Sequence, residues 1–351
     1  MNEVELIARL PQCEIVRPRV SADHDRIAWL NARRLGIGSS DCPVVLAPLI
    51  ADLRTYRSRW ELWRDKTGRV PLEDSDEQAS NEFLYWGNRM ELLTRPEVEI
   101  RYNTTVVQVP MLRSVARPWQ LASLDGLTTE LGITELKNTS EWLSSQWDEQ
   151  IPDLAELQVQ HDMAVTGAEF AIVAGLVGGN KFRHQVIPRS DKLISLINER
   201  EEEFWTNNIL ADVEPEIDGS DGTYRAILAS GEPVAEMREA EDPEYIRLLI
   251  DDYETARKDE KGAIERKNAA RNKLLREMNG APGLVDDDGN ELVRLKGGTY
   301  AWKRFETDHP EIADTTRKKV DILDTDAVKI EHPDLAKQYQ SKSLHIPKGS
   351  N

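Results

Sequence analysis

Two short segments near the middle of the chain place carboxylates and a lysine at a spacing that could hold a metal ion. They are S-L-D-G at 123–126 and T-E-L-K at 134–137. Successive side chains of a strand point to opposite faces, so Glu135 and Lys137 are expected to share one face. A hairpin of adjacent strands would bring the Asp125 carboxylate to the same place. Such a set suits Mg²⁺-dependent hydrolysis of a phosphodiester, because hard oxygen ligands hold the ion and leave waters bound to it.

Each of these residues has an expected role at such a site. Asp125 and Glu135 would hold the ion, with the peptide carbonyl of Leu136 as an extra ligand. Lys137 would orient or deprotonate the attacking water and offset the negative charge that develops on the phosphate. The alternative is that Asp125 lies in an ordinary turn and that Glu135 and Lys137 form a solvated pair at a sheet edge.

Two predicted helices could add polar groups to this site. Glu91 is a third carboxylate that could bind a second metal ion or a metal-bound water; alternatively it is a solvated charge. Gln158 and His161 are three residues apart and share a helix face with apolar side chains. A buried amide needs hydrogen-bond partners, so Gln158 could bind metal-bound water or phosphate as a catalytic residue. A structural role for both residues is the alternative.

The sequence G-I-G-S-S at 36–40 could form an anion pocket. Backbone N–H groups at a helix N-terminus, the hydroxyls of Ser39 and Ser40 and the guanidinium of Arg33 are groups that bind phosphate. A 5′-terminal phosphate of DNA is one candidate ligand. Alternatively, one of the two serines only caps the following helix and Arg33 is a surface charge.

Helical and strand-like spacings alternate around these residues, which predicts an α/β (α+β) fold with a central mixed sheet flanked by helices. Asp41 is expected in the first turn of a helix capped by one of the two serines, and a longer helix is expected to break near Pro96. The helices are expected at about 24–35, 41–46, 55–67, 78–100, 152–167 and 191–210, with three strands between 104 and 138 and two between 168 and 188.

The amino-acid composition changes after residue 213. A Gly-, Asp- and Pro-containing linker is expected at 214–242, after a domain at 1–213. A C-terminal extension at 243–351 would hold a long charged helix at 243–278 and a β-hairpin around 291–305. The apolar stripe of that helix is incomplete, which is typical of a surface helix or of a coiled-coil arm that pairs with itself or with a partner.

Amino-acid composition limits which ligands, cellular locations and cysteine-based sites are expected. The formal net charge of −18 argues mildly against nucleic acid as a ligand, although a metal site concentrates carboxylates and a basic groove can coexist with an acidic surface. No apolar run is long enough to span a membrane and the N-terminal segment is acidic, so a cytoplasmic protein with no membrane partner is expected. Two cysteines are too few for a disulfide framework or a cysteine zinc site.

Taken in chain order, six motifs resemble the YqaJ-like viral recombinase family, which includes lambda exonuclease and lies in the PD-(D/E)XK nuclease superfamily. The resemblance covers residues 25–210 and rests on the order and spacing of the motifs. They are W-L-x-x-R at 29–33, I-G-S-S-D at 37–41, W-G-x-x-x-E at 86–91, S-x-D-G at 123–126, E-L-K at 135–137 and Q-x-Q at 158–160.

The resemblance implies a PD-(D/E)XK nuclease core and an exonuclease that uses Mg²⁺ or Mn²⁺. It would digest double-stranded DNA from 5′ to 3′ and leave 3′ single strands for a phage single-strand annealing protein. A homo-oligomeric ring of three chains is a further implication. Carried over by position, the implied residues are Asp125, Glu135 and Glu91 at the metal, Lys137 as the catalytic lysine, Gln158 as an active-site helper, and Arg33 and Ser40 at the 5′ phosphate.

The chain departs from the family pattern in two places. Leu124 stands where the motif has proline, a change that removes no ligand. The region beyond 213 has no counterpart in lambda exonuclease, which leaves polarity, processivity and ring formation open. The alternatives are an endonuclease on the same fold and a non-enzymatic DNA-binding or recombination scaffold.

Overall fold

The structure, a computed structural model, describes residues 2–17, 25–51, 53–72, 82–148, 150–231, 237–295, 302–316, 329–331 and 333. The chain divides into two compact units, Met1–Pro233 and Val234–Asn351. The first unit contains two sheets and the helices that cover them. Within the described part of the chain, no helix is both long enough and apolar enough to cross a membrane.

A five-stranded mixed sheet forms the centre of the first unit. Its strand order is β3-β6-β7-β8-β9, in which β7 and β8 are parallel and every other neighbouring pair is antiparallel. Parallel neighbours need a crossover connection, and a helix supplies it here. The strands are β3 (Val106–Val107), β6 (Gly126–Thr128), β7 (Ile133–Thr139), β8 (Phe170–Val177) and β9 (Lys181–Pro188).

A second, four-stranded sheet lies beside the first in the same unit. Its order is β1-β4-β5-β2, with β2 parallel to β5 and the other pairs antiparallel. Its strands are β1 (Cys13–Ile15), β2 (Ile37–Gly38), β4 (Leu112–Ser114) and β5 (Gln120–Ala122).

Eight α-helices of the first unit, among the described residues, surround these sheets. A 3₁₀ turn at Glu141–Trp147 follows β7, and a π-helical turn at Trp205–Leu210 extends the seventh helix. The helices are α1 (Glu3–Ile7), α2 (Arg26–Arg34), α3 (Cys42–Leu46), α4 (Arg59–Lys66), α5 (Glu82–Tyr102), α6 (Asp153–Thr166), α7 (Asp191–Phe204) and α8 (Asp221–Ser230).

Helix α6 is the crossover between β7 and β8 and lies in the middle of the core. Its apolar side chains Val159 and Met163 are fully buried in a cluster with Leu127 and Ile133 of the central sheet. The helix ends at Gly167, whose φ of 76° is the left-handed conformation that glycine adopts without strain. The polar residues of α6 are therefore held on a rigid, tightly packed element.

The described residues of the second unit include a long helix, a short hairpin and two short helices. Helix α9 spans Pro243–Met278 and is capped by Asp242, whose side chain accepts from two backbone N–H groups. Strands β10 (Gly283–Val285) and β11 (Glu291–Arg294) pair antiparallel, and α10 (Trp302–Asp308) and α11 (Pro310–Thr316) follow.

The predicted α/β class is confirmed, with its mixed sheet, its flanking helices and its helical and hairpin extension. Pro96 does not break α5, which continues to Tyr102. A proline inside a helix leaves the carbonyl four residues earlier without its N–H donor, but a long helix can bend at such a point without ending. The start expected at 78–81 lies outside the described residues.

Other local expectations need correction. Neither Ser39 nor Ser40 caps α3; the N-cap position is Asp41, whose side chain makes no capping hydrogen bond. The region predicted as three strands contains five: turns divide each of the first two apolar runs into two short strands, and the third run forms β7 as expected. The C-terminal hairpin forms across the turn at 286–290 rather than after it, because Asp286 accepts hydrogen bonds from Asn290.

The segment interpreted as a linker contains α8, which belongs to the first unit. The Thr223 hydroxyl donates a hydrogen bond to the Ser58 hydroxyl at 2.6 Å, and Arg64 of α4 donates to the Ala226 carbonyl at 3.3 Å. These contacts attach the segment that follows residue 213 to α4.

Gly126 begins β6 at a point where the backbone has no room for a side chain. A Cβ atom there would lie 2.2 Å from a methyl carbon of Val106 on β3 and 2.8 Å from the Thr134 hydroxyl on β7. Only glycine lets both neighbouring strands approach this closely, and Asp125 is the residue before it.

We predict that Gly126→Ala lowers the free energy of unfolding by about 1–3 kcal/mol, because the added methyl group overpacks the sheet. Gly87→Ala is the matched control, since a Cβ atom at this helical position meets no atom within 4 Å. The control should be neutral or stabilising by up to about 1 kcal/mol. Urea denaturation of both variants measures the difference, and equal stabilities would contradict the packing argument.

Candidate active site

The β6–β7 hairpin brings Asp125 to the strand that carries Glu135 and Lys137. Gly126 pairs with Thr134 in antiparallel register, so the residue before β6 lies beside the middle of β7. The backbone N–H of Leu136 donates a hydrogen bond to Asp125 Oδ2 at 2.7 Å. The predicted hairpin is therefore present, and the amide of the residue between Glu135 and Lys137 holds the Asp125 carboxylate in place.

Lys137 connects β7 to helix α6. Its ammonium group contacts Glu135 Oε1 and donates a hydrogen bond to Gln158 Oε1 at 2.6 Å. Burial favours the neutral amine, but the negative charges of Glu135 and Asp125 outweigh it and raise the pKa of Lys137. Among the described residues, two of the three ammonium hydrogens thus have protein partners, which leaves the third for a ligand.

Glu91 on α5 lies close enough to complete an acidic cluster. Burial raises the pKa of Asp125 well above its ordinary value, and the negative charges of Glu135 and Glu91 raise it further. The Leu136 amide and Lys137 oppose that shift without cancelling it. The structure therefore brings together four of the predicted residues, Glu91, Asp125, Glu135 and Lys137.

The donor set of this cluster fits a divalent cation. Three carboxylates of like charge at one place raise the cost of ionising Asp125, and a hard cation with a preference for oxygen ligands would relieve that repulsion. Asp125, Glu135 and Glu91 are the side chains that would hold it. The carbonyl of Leu136 as a further ligand stays a prediction; its side chain packs into a buried apolar cluster.

Asp162 is a fourth carboxylate beside the cluster that the sequence analysis missed. It is almost fully buried on α6, and its Oδ1 atom has no hydrogen-bond partner among the described residues. Burial, together with the charge of Glu135, raises the pKa of Asp162 to about 8, while His161 and the hydroxyl of Ser39 oppose the shift. The signal was available, because Asp162 follows Gln158 by four residues and so lies on the same helix face.

His161 faces the core instead of the acidic cluster. Its Nε2 atom lies 2.9 Å from the Leu121 carbonyl and its Nδ1 atom 2.7 Å from Glu201 Oε1, and both side chains are fully buried. Both ring nitrogens therefore donate. Burial alone would lower the pKa of His161, but Glu201 raises it to about 9. His161 has the structural role that the sequence left open.

Cys42 joins this pair, so that three potential metal-ligand atoms lie within 4.8 Å of one another. A metal needs a thiolate and a neutral imidazole. Here burial raises the pKa of the Cys42 thiol, which contacts the Leu157 carbonyl at 3.7 Å, and the imidazole is protonated. The donor chemistry of this buried group fits an ion pair with a thiol beside it better than it fits a metal ion.

Arg33 and Ser40 meet as the anion-pocket prediction requires. The Arg33 guanidinium donates to Ser40 Oγ at 2.6 Å and stacks over the ring of Trp29 at 4.8 Å. Ser39 lies instead beside Asp162, and its hydroxyl lowers the pKa of that carboxyl. The structure thus separates the two serines, with Ser40 beside the guanidinium and Ser39 beside the acidic cluster.

Asp41 organises the basic residues behind this pocket. It is fully buried and forms ion pairs with Lys66 at 2.7 Å, with Arg57, and with Arg33 at 3.7 Å. Burial would raise the pKa of Asp41, but Lys66, Arg57 and Arg33 outweigh it and hold the pKa well below its usual range. Asp41 is therefore a charged anchor for cations.

The pocket carries more positive than negative charge. Four cationic side chains surround two carboxylates, Asp41 and Asp65, in a basic cluster that leaves two positive charges unbalanced. Sequence reasoning found only part of this set, because Lys66 on α4 and Arg57 just before that helix lie in another segment with no local motif. The cations of the basic cluster are Arg33, Arg34, Arg57 and Lys66.

Taken together, the first unit holds an acid-and-lysine set on adjacent antiparallel strands, which is the arrangement expected of a D…E-x-K site. Residues 28–169 match the family model described as the YqaJ-like viral recombinase domain. The chain is also 38% identical over 205 residues to the "Uncharacterized protein YqaJ" of Bacillus subtilis (strain 168), an alignment that covers 57% of this chain and 61% of that protein. The resemblance to this family is confirmed over the matched segment.

The chain thus spans less than two thirds of the curated relative's length. Two solved structures are also similar. An alkaline exonuclease (LHK-Exo) from Laribacter hongkongensis has 19% identity, covering 58% of this chain and 98% of that chain, with a TM-score of 0.45. A phage related exonuclease from Haemophilus somnus 129PT has 13% identity, covering 53% of this chain and 100% of that chain, with a TM-score of 0.38.

We predict that the His161–Glu201 pair makes stability depend on pH. The pKa of His161 is raised from 6.5 to about 9 in the folded state, so the unfolded chain releases its proton first as pH rises. The contribution of this ion pair to the free energy of unfolding is fully present below about pH 6.5 and is lost as pH rises through about 9. At about 1.4 kcal/mol per pKa unit, the loss is on the order of 3 kcal/mol.

Urea denaturation at about pH 6 and about pH 9 measures this loss, and His161→Gln should flatten the dependence. His184→Gln is the matched control: the pKa of His184 is lowered, first by burial and then by Arg101, so it titrates below this window. The same slope in wild type and in His161→Gln would rule out the proposed ion pair.

Proposed function

We propose that this chain is a metal-dependent deoxyribonuclease that hydrolyses phosphodiester bonds of double-stranded DNA from 5′ ends. The observation that carries the proposal is the convergence of Glu91, Asp125, Glu135 and Lys137 from α5, the β5–β6 turn and β7. These residues are far apart in sequence, and three carboxylates gathered at one place with a single lysine suit a bound cation better than a structural ion pair.

The acidic residues would hold Mg²⁺, or Mn²⁺, which when bound polarises the phosphate and lowers the pKa of a bound water. Lys137 is fixed by Gln158 and Glu135, and its remaining hydrogen would bind a phosphate oxygen and offset developing charge. Gln158 acts as a positioning residue, because it orients Lys137 through its 2.6 Å hydrogen bond. Asp125 is itself oriented by the Leu136 amide.

The basic cluster supports the choice of a 5′-phosphorylated end. A terminal phosphate carries nearly two negative charges at neutral pH and would balance the two excess positive charges there. Arg33 and Arg57 are partly exposed, and Arg33 already holds a hydroxyl at 2.6 Å that a phosphate oxygen could join. We therefore add Arg57 to Arg33 and Ser40 as residues proposed to bind the 5′ phosphate.

The rest of the proposal follows the family resemblance. Removal of one strand from a 5′ end leaves a 3′ single strand, which is the substrate of a single-strand annealing protein. We propose such a protein as the recombination partner, with a three-membered ring as the candidate assembly of the first unit.

We predict that Lys137→Ala lowers the cleavage rate of linear duplex DNA with Mg²⁺ by at least about 100-fold, since it removes a preorganised positive donor. Lys181→Ala is the matched control, because Lys181 pairs with Glu141 at 2.6 Å on the exposed end of β9. Release of nucleotides from end-labelled duplexes measures the rate, and circular dichroism verifies folding. Full activity of the Lys137 variant would refute the site assignment, and equal cleavage of circular duplexes would favour an endonuclease.

We predict that Arg33→Gln and Arg57→Gln each lower the preference for 5′-phosphoryl over 5′-hydroxyl ends by roughly tenfold to a hundredfold, because a charge-assisted hydrogen bond contributes about 1.5–3 kcal/mol. Cleavage from 5′-hydroxyl ends should be nearly unchanged. Arg117→Gln, which loses only a 4.0 Å surface pair with Glu202, should keep the wild-type preference. Competition between the two labelled duplexes in one reaction measures the ratio; an unaltered ratio in both variants would exclude this pocket.

A further inference from the structure

Helix α9 has an apolar face that lies in solvent. At about 1.5 Å per residue its 36 residues extend for about 54 Å. Six large apolar side chains recur on one face at helical spacing, and each exposes more than 40% of its surface. They form an N-terminal group, Ile246, Leu249 and Tyr253, and a group further along, Ile264, Leu274 and Leu275.

The charges of α9 are divided between its two halves. Residues 243–260 carry six acidic and three basic side chains, whereas residues 261–278 carry two acidic and six basic side chains. Favourable interaction with the helix dipole does not require this pattern, because that effect is confined to the first and last turns. A division that extends over eighteen residues on each side needs another explanation.

Antiparallel alignment of two such helices satisfies both features. The acidic half of one helix then faces the basic half of the other, and Leu249 of each copy approaches Leu274 of the other copy. Parallel alignment would place acidic half against acidic half and is disfavoured. A single helix therefore supplies both complementary surfaces, which points to a second copy of this chain as the partner.

We propose that α9 forms an antiparallel coiled coil with α9 of a second copy of this chain. The contact is isologous, so the same surface of each copy is buried and one two-fold axis relates the copies. The apolar groups at the two ends bury each other, and the flanking charges set the helix direction. This assembly does not depend on the proposed nuclease activity.

The experiment reverses the charges of each half separately in the full-length chain. The first variant makes the acidic half basic, with Asp252→Lys, Glu254→Lys and Glu260→Lys. The second makes the basic half acidic, with Lys261→Glu, Lys267→Glu and Arg271→Glu. All six residues flank or interrupt the apolar face. The control, Asp251→Lys with Lys273→Glu, changes charges on the opposite face. Multi-angle light scattering after size exclusion measures the mass, and circular dichroism checks that every variant keeps its helix content.

Each charge-reversal variant alone should have half the mass of the wild-type assembly, because like charges now face each other. Mixing the two variants should restore the wild-type mass, since one helix is then largely basic and the other largely acidic. The control should keep the wild-type mass. Wild-type mass in both single variants, or failure of the mixture to assemble, would overturn the proposal, as would a wild-type assembly with an odd number of chains.

Discussion

The candidate site depends on holding three like charges together against their repulsion. Glu91, Asp125 and Glu135 come from a helix, a turn and a strand, and the pKa of Asp125 shows that burial and neighbouring charge oppose its ionisation. Solvent would separate such groups if they stood on flexible loops. Here the Leu136 amide holds one carboxylate and Lys137 holds another, so the backbone of β7 determines where both lie.

Two buried ionic groups give this arrangement its rigidity. The His161–Glu201 pair connects α6, the helix that carries Gln158, to α7. Asp41 holds α3 against the cations of the basic cluster, with Lys66 of α4 also donating to the Arg33 carbonyl at 2.7 Å. Breaking one partner of a buried pair leaves an uncompensated charge, so each group resists local rearrangement. The polar core therefore fixes the positions of helices whose surface residues are proposed to bind DNA.

The sequence predicts the site well where the chemistry is local and poorly where it is assembled from distant segments. Glu135 and Lys137 could be placed on one face by strand alternation alone, and the hairpin follows from two strand-like segments that are adjacent in sequence. Arg57 was missed because its importance arises from packing of the segment before α4, which no local spacing reveals. Asp162 was missed although its spacing of four residues from Gln158 indicates a shared helix face. Pro96 shows the reverse case: a strong local rule predicts a break, yet the helix continues to Tyr102.

The two parts of the site are connected through a single loop. Ser39 lies beside Asp162, which is itself close to Glu135, and the hydroxyl of the next residue, Ser40, accepts a hydrogen bond from the Arg33 guanidinium. A loop attached at both sides has a fixed length between the basic cluster and the acidic cluster. Phosphate at one end and the reacting bond at the other would then be held at a set separation, as an end-recognising nuclease requires. A chain with net charge −18 gains little from long-range attraction of DNA, so recognition must rely on such local, preorganised contacts.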